Sequence, residues 1–184
     1  MTRMTAIWIL PVVTLIVASS SGGILASQLV KYSPKSALLT LALSAVMLII
    51  GEALATMLLT VYFFRLVIHG LPQGSAVIST FIPLGPMGQG GYSFLLLASG
   101  FRTILPLTYG DSEFLRADTT GEIINVICIC TAYGMWALGT MWLLYSLLAV
   151  YEILSRERFP FKLPLWGLIF PNVSIPPCSC YALY

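Results

Sequence analysis

Ser79-Thr80-Phe81-Ile82-Pro83-Leu84-Gly85-Pro86-Met87-Gly88-Gln89-Gly90-Gly91-Tyr92 sets two prolines and a run of glycines inside an apolar stretch. No Asp, Glu, Lys or Arg separates Arg65 from Arg102, so this cluster is predicted to lie at membrane depth. Broken backbone is tolerated there only where it is buried in protein or lines a cavity. Pro83 and Pro86 each remove a backbone donor and crowd the preceding turn. Gly85 and Gly88 share a helix face, where they leave room or bare backbone. Gln89 adds a neutral amide able to donate to an anion. Neutral dipoles and exposed N–H groups suit a pathway that must pass an anion without trapping it. The plainer alternative is a proline kink packed against its neighbours.

The rest of the chain has the composition of a membrane protein. Of 184 residues, 58% are hydrophobic and 9% charged, and the mean hydropathy is +0.93. A soluble domain carries about 25% charged residues. The net charge of +2 is small and scattered, which argues against a nucleic-acid partner. The first apolar run is uncharged from residue 4 to residue 30, far beyond the about 7–15 residues of a signal-peptide core. It is therefore read as a spanning helix.

Four runs have the roughly 20 apolar residues that a spanning helix needs: 6–30, 37–64, 75–101 and 123–151. A partial fifth covers 163–172. The fold class is all-α and polytopic, with two antiparallel transmembrane hairpins plus that partial span. Ser33-Pro34 turns the first pair, and Gly70-Leu71-Pro72 closes the second run. Residues 102–122 form a solvated loop carrying Asp111, Glu113, Arg116, Asp118 and Glu122. Arg3, Arg65, Arg156, Arg158 and Lys162 fall on one side, and Lys31, Lys35, Arg102 and Arg116 on the other. The small excess favours a cytoplasmic N-terminus. Ala18-Ser19-Ser20-Ser21-Gly22-Gly23 narrows the first helix, for close packing or for lining a path, and Gly134 and Gly139 suit packing in the fourth.

Nothing in the sequence supports an enzyme. His69 is the single histidine, and there are no paired carboxylates, phosphate-binding loop or metal-ligand cluster. No cofactor or metal is expected, and Cys178-Ser179-Cys180 reads as tail. Asn172-Val173-Ser174 has acceptor spacing for glycosylation but lies beside a membrane segment and is discounted. Glu52 is the one acid inside a span, where an ionised carboxylate costs about 2.5 kcal/mol or more. It is either a proton-linked pathway residue or a structural, hydrogen-bonded acid. Arg65 either draws anions to the membrane mouth or anchors its helix by snorkelling.

Leu10-Pro11-Val12-Val13, the Ala18–Gly23 run and the Phe81–Gly91 run together resemble the tellurite-resistance/dicarboxylate transporter family. That family includes voltage-dependent anion channel-like proteins such as plant slow-type anion channels, and yeast malic acid transporters. The nearest resemblance is to its fungal sulfite efflux branch, through the Leu-Gly-Pro-x-Gly-Gln-Gly run, Arg65-Leu66 with His69-Gly70-Leu71-Pro72, and Trp166-Gly167-Leu168-Ile169-Phe170-Pro171. The resemblance implies a ten-helix, usually trimeric fold with odd-numbered helices around a central pore. This chain would supply helices five to eight and the start of nine, as a transporter fragment over 1–172, followed by an atypical tail at 173–184. Pro11, Pro83, Gly85, Pro86, Gly88, Gln89 and Pro171 would line the pore on inner, kinked helices, and Phe170 would gate it. The implied partners are the bilayer, a small anion and further copies of the chain. The implied activity is sulfite efflux at the plasma membrane, with malate or another C4-dicarboxylate as the alternative substrate. A non-transporting fragment is the rival reading.

Overall fold

In the computed structural model, residues 6–72, 74–107 and 112–156 are described, and all their regular structure is helical. A 3-10 segment, Ala6–Ile9, leads into α1, Leu10–Leu29. At 1.5 Å per residue its 20 residues reach about 30 Å, the thickness of a bilayer's hydrocarbon core. The chain then turns on Val30–Ser33. Ser33 is extended and accepts from the Ser36 amide, and Pro34 takes the first helical turn, where a missing N–H costs nothing.

α2 runs Pro34–His69 and stops at Gly70, whose φ of 72° is open to glycine and strained for other residues. A second 3-10 segment, Gly74–Phe81, leads through Pro83 into α3, Leu84–Ile104. A short α4, Glu113–Arg116, precedes α5, Thr120–Arg156. With 36 and 37 residues, α2 and α5 are about 55 Å long and exceed the hydrocarbon core unless tilted.

α3 is the centre of the bundle. α1 packs on α2 and α3, and α5 lies along α3. One apolar core joins Ile16 and Ala26 of α1 to Leu41, Leu48 and Ala55 of α2 and to Leu97 and Ile104 of α3. A second joins Ile9, Val13, Tyr62, Phe81, Leu84 and Trp142 near the two 3-10 segments. Outward faces remain apolar, with Leu39, Ile49, Met57, Val67, Ile127, Leu144 and Leu148 exposed, as a lipid solvent requires.

Three of the expected features change. Among the described residues, only α1, α2 and α5 are long and apolar enough to cross a membrane. The expected third span is divided at Pro83, and α3 is not among the three. Its first turns spend positions on glycine, proline and glutamine, and they face other helices instead of lipid. Pro11 does not kink α1 but sits in its first turn. The same holds for Pro83 and Pro86 at the start of α3. Finally, the loop expected at 102–122 is shorter, because α3 continues to Ile104 and α5 begins at Thr120. The partial fifth span at 163–172 lies outside the described residues.

Candidate functional site

Pro83 leaves an unpaired carbonyl one turn earlier, and α5 supplies the missing donors. Thr80 O accepts from Trp142 Nε1 at 2.7 Å and from Ser146 Oγ at 2.8 Å, all three groups buried. Pro86 would orphan Ile82 O in the same way, but Gly85 N donates to it at 3.0 Å in a 3-10 step. Broken backbone at membrane depth is thus paired internally, the condition the bilayer imposes.

The glycine face of α3 is buried. Pro83 and Pro86 are fully enclosed, and Gly85, Gly88, Gly90 and Gly91 are buried as well. These glycines serve close contact. A Cβ on Gly90 would overlap the Glu52 carboxylate of α2, and a Cβ on Gly139 of α5 would lie 3.5 Å from Met87. Gly22 faces the Ser44 hydroxyl and Gly23 faces Leu96, so the small-residue waist of α1 packs on both α2 and α3. Gly134, also read as a packing glycine, faces open space instead.

A neutral polar seam runs between α1 and α3. Gln89 Nε2 donates to Ser20 Oγ at 2.8 Å, and Ser20 Oγ donates to Val17 O at 2.8 Å. Ser93 Oγ bonds Gln89 O at 2.8 Å and Ile16 O at 3.3 Å. Beside this seam two buried groups have no partner. These are Ser19 Oγ and the Glu52 carboxylate, whose residue is 8% exposed. Glu52 therefore meets bare α3 backbone at Gly90, not a cation.

Of the expected site residues, Gly85, Gly88 and Gln89 come together with Pro83 and Pro86 on buried α3. Pro11 is exposed at the start of α1. Arg65, three residues past buried Tyr62, is half-buried near the end of α2. Phe170 and Pro171 lie outside the described residues. Residue-by-residue reading missed Trp142 and Ser146, whose spacing of four in an otherwise apolar run was the available signal. It also missed Ser93, whereas Ser20 belongs to the small-residue run already singled out in α1. A cavity of about 290 Å³ opens outward between α2 and α5, lined by Phe63, Val67, Trp142, Tyr145 and Leu148 among others. It is separate from the α1–α3 seam. Among the described residues no cluster of His, Cys, Asp and Glu could hold a metal ion.

Residues 1–179 match the voltage-dependent anion channel family. Over 168 residues the chain is 36% identical to the sulfite efflux pump of Arthroderma otae, a match covering 91% of this chain and 42% of that protein. Identity to the sulfite efflux pump of Arthroderma benhamiae is 35%, with the same coverage. Identity to that of Saccharomyces cerevisiae is 22% over 188 residues, covering 92% of this chain and 41% of the relative. The chain thus spans about two fifths of the length of these relatives. No solved structure matches it.

Proposed function

The chain belongs to the voltage-dependent anion channel family, and on that premise we propose that it builds part of a membrane pathway exporting a small anion, sulfite before other substrates. The observation that carries this reading is the α1–α3 seam, where Gln89 and Ser20 form a neutral, hydrogen-bonded contact beside a glycine-rich wall. Such a wall offers dipoles and no fixed cation, so an anion passes without being held. Sulfite is preferred because the relatives in three fungi are sulfite efflux pumps. A C4-dicarboxylate such as malate is the alternative substrate.

In this proposal the chain contributes two antiparallel hairpins and the start of a fifth helix to a ten-helix ring, over residues 1–172, in a trimer. Pro11, Pro83, Gly85, Pro86, Gly88, Gln89 and Pro171 border the path, Phe170 gates it, and Arg65 attracts anions at the cytoplasmic mouth. The protein acts at the plasma membrane with residue 1 on the cytoplasmic side.

One observation favours a second reading. The match spans about two fifths of each relative, so this chain by itself is proposed to lack flux and to need the remaining helices. Sulfite efflux from cells expressing the chain, and from cells expressing a ten-helix version, separates the readings. Flux from the long version alone supports the second. No anion flux from either, with malate and sulfite both offered, removes the transport proposal.

A further inference from the structure

Glu52 stands at the middle of α2 and is 8% exposed. Among the described residues, neither of its carboxyl oxygens makes a hydrogen bond. The group is aimed into the buried glycine stripe of α3, where a Cβ on Gly90 would overlap Oε1. Met135 Cε of α5 lies 3.3 Å from that same Cβ position, so three helices meet around the acid. The residue before Gly90 is Gln89, which bonds Ser20 of α1. Adjacent residues of α3 therefore carry the neutral seam and the contact with Glu52.

Among the described residues, no cation is placed to balance an ionised Glu52. α1 has none between Leu10 and Leu29. On α2 the nearest bases in the chain are Lys35 and Arg65, each about 20 Å or more away along the helix. On α3 the one base is Arg102, about 18 Å along the helix from Gly90. α5 has neither an acid nor a base between Ile123 and Val150. The titratable side chains on these stretches are phenols and thiols: Tyr62 on α2, Tyr92 on α3, and Cys128, Cys130, Tyr133 and Tyr145 on α5.

An ionised carboxylate is costly at this depth, and acids found there serve proton relays or ion paths. A proton removes the charge and needs no cavity, because the carboxyl oxygen itself carries it. The same proton sets the charge of the α3 wall. Ionised, Glu52 puts a negative charge behind Gln89 and repels an anion at low dielectric; protonated, it leaves the wall neutral.

We infer that Glu52 is a proton-binding site at the centre of the bilayer, and that its proton decides whether an anion passes the α3 wall. The step is a proton transfer alone: the carboxylate takes a proton from the water phase to become the acid, and returns it. Control of passage rests on the anion-transport proposal, whereas proton binding is read without any flux.

The test of binding is infrared spectroscopy of the purified full chain in an ester-free detergent, titrated from neutral to alkaline pH. The parent is expected to show, at neutral pH, a protonated-carboxyl carbonyl band that Glu52→Gln lacks and that fades as the pH rises. Glu52→Met, which removes the polar group altogether, should lack the same band. Helix content and melting temperature of both variants serve as folding controls. Carboxylate signal alone at neutral pH overturns the proton site. Control of passage is tested by sulfite efflux through a ten-helix version. Sulfite itself titrates, so the readout is the ratio of parent to Glu52→Gln. That ratio should fall by up to about tenfold per pH unit where the band is lost, as the protonated fraction of one site does. A ratio that does not move with pH overturns the control of passage. A protonated band without flux from either version leaves the proton site standing and removes the transport proposal.

Discussion

Glu52 and Gly90 show how single residues are constrained by the packing of α2 on α3. A side chain at position 90 has no space, because a Cβ would overlap the Glu52 carboxylate. Gly90→Ala is therefore expected to destabilise the protein by about 1–3 kcal/mol, as overpacking does elsewhere, visible as a lower melting temperature in detergent. Adding Glu52→Ala should recover most of that loss. A double mutant that is as unstable as Gly90→Ala alone would mean the two residues do not collide. The carboxylate also lacks any hydrogen-bond partner. Replacing an unpaired buried polar group with an apolar one of similar shape is neutral or stabilising, so Glu52→Met is expected to melt at or above the parent temperature. A drop of several degrees would indicate a partner that holds Glu52 in place.

At the scale of elements, the decisive event is the start of α3. Pro83 would strand the Thr80 carbonyl in hydrocarbon, where each unsatisfied group costs several kcal/mol. Trp142 and Ser146 of α5 both donate to it. Removing one donor leaves the other, so Trp142→Phe or Ser146→Ala is expected to cost about 1 kcal/mol each. The double change strips the carbonyl bare and should cost more than the sum, by an interaction of about 0.5–3 kcal/mol. Strict additivity in a double-mutant cycle would mean that the carbonyl has found another donor. The helical runs themselves were readable from hydropathy and length, and so was the Pro/Gly interruption. The division of the third run into a 3-10 segment and α3 was not, nor was the role of α5. Hydropathy reports transfer to lipid, whereas a proline's lost hydrogen bond is repaired by whichever helix happens to pack beside it.

At the scale of the whole molecule, α1, α2 and α5 are long and apolar enough to span a bilayer, and the chain is an integral membrane protein. It is expected to stay in the membrane fraction after an alkaline carbonate wash, and release into the supernatant would contradict spanning helices. The hairpin arrangement makes a further prediction. Cysteines introduced at Ser33 and Ser112 should be labelled by an impermeant thiol reagent from one side, and a cysteine at His69 from the other. Labelling of all three from one side would rule out the proposed topology. The native Cys128, Cys130, Cys178 and Cys180 would also react, so single-site labelling is read against a variant in which all four are serine.

The candidate site was legible in kind but not in arrangement. Gly85, Gly88 and Gln89 were recognisable because glycine and an uncharged amide are costly choices in a lipid-facing helix. That Gln89 meets Ser20 and Glu52 meets Gly90 depends on residues far apart in the chain. Amino-acid order alone determined the solvent, the helical class and the positions of the breaks, because a bilayer sets helix length and demands paired backbone over about 20 residues at a time. Only the tertiary structure decided which helix became the buried centre and which polar groups were paired. Those outcomes follow from contacts between helices, where a single missing Cβ or one indole N–H changes what fits.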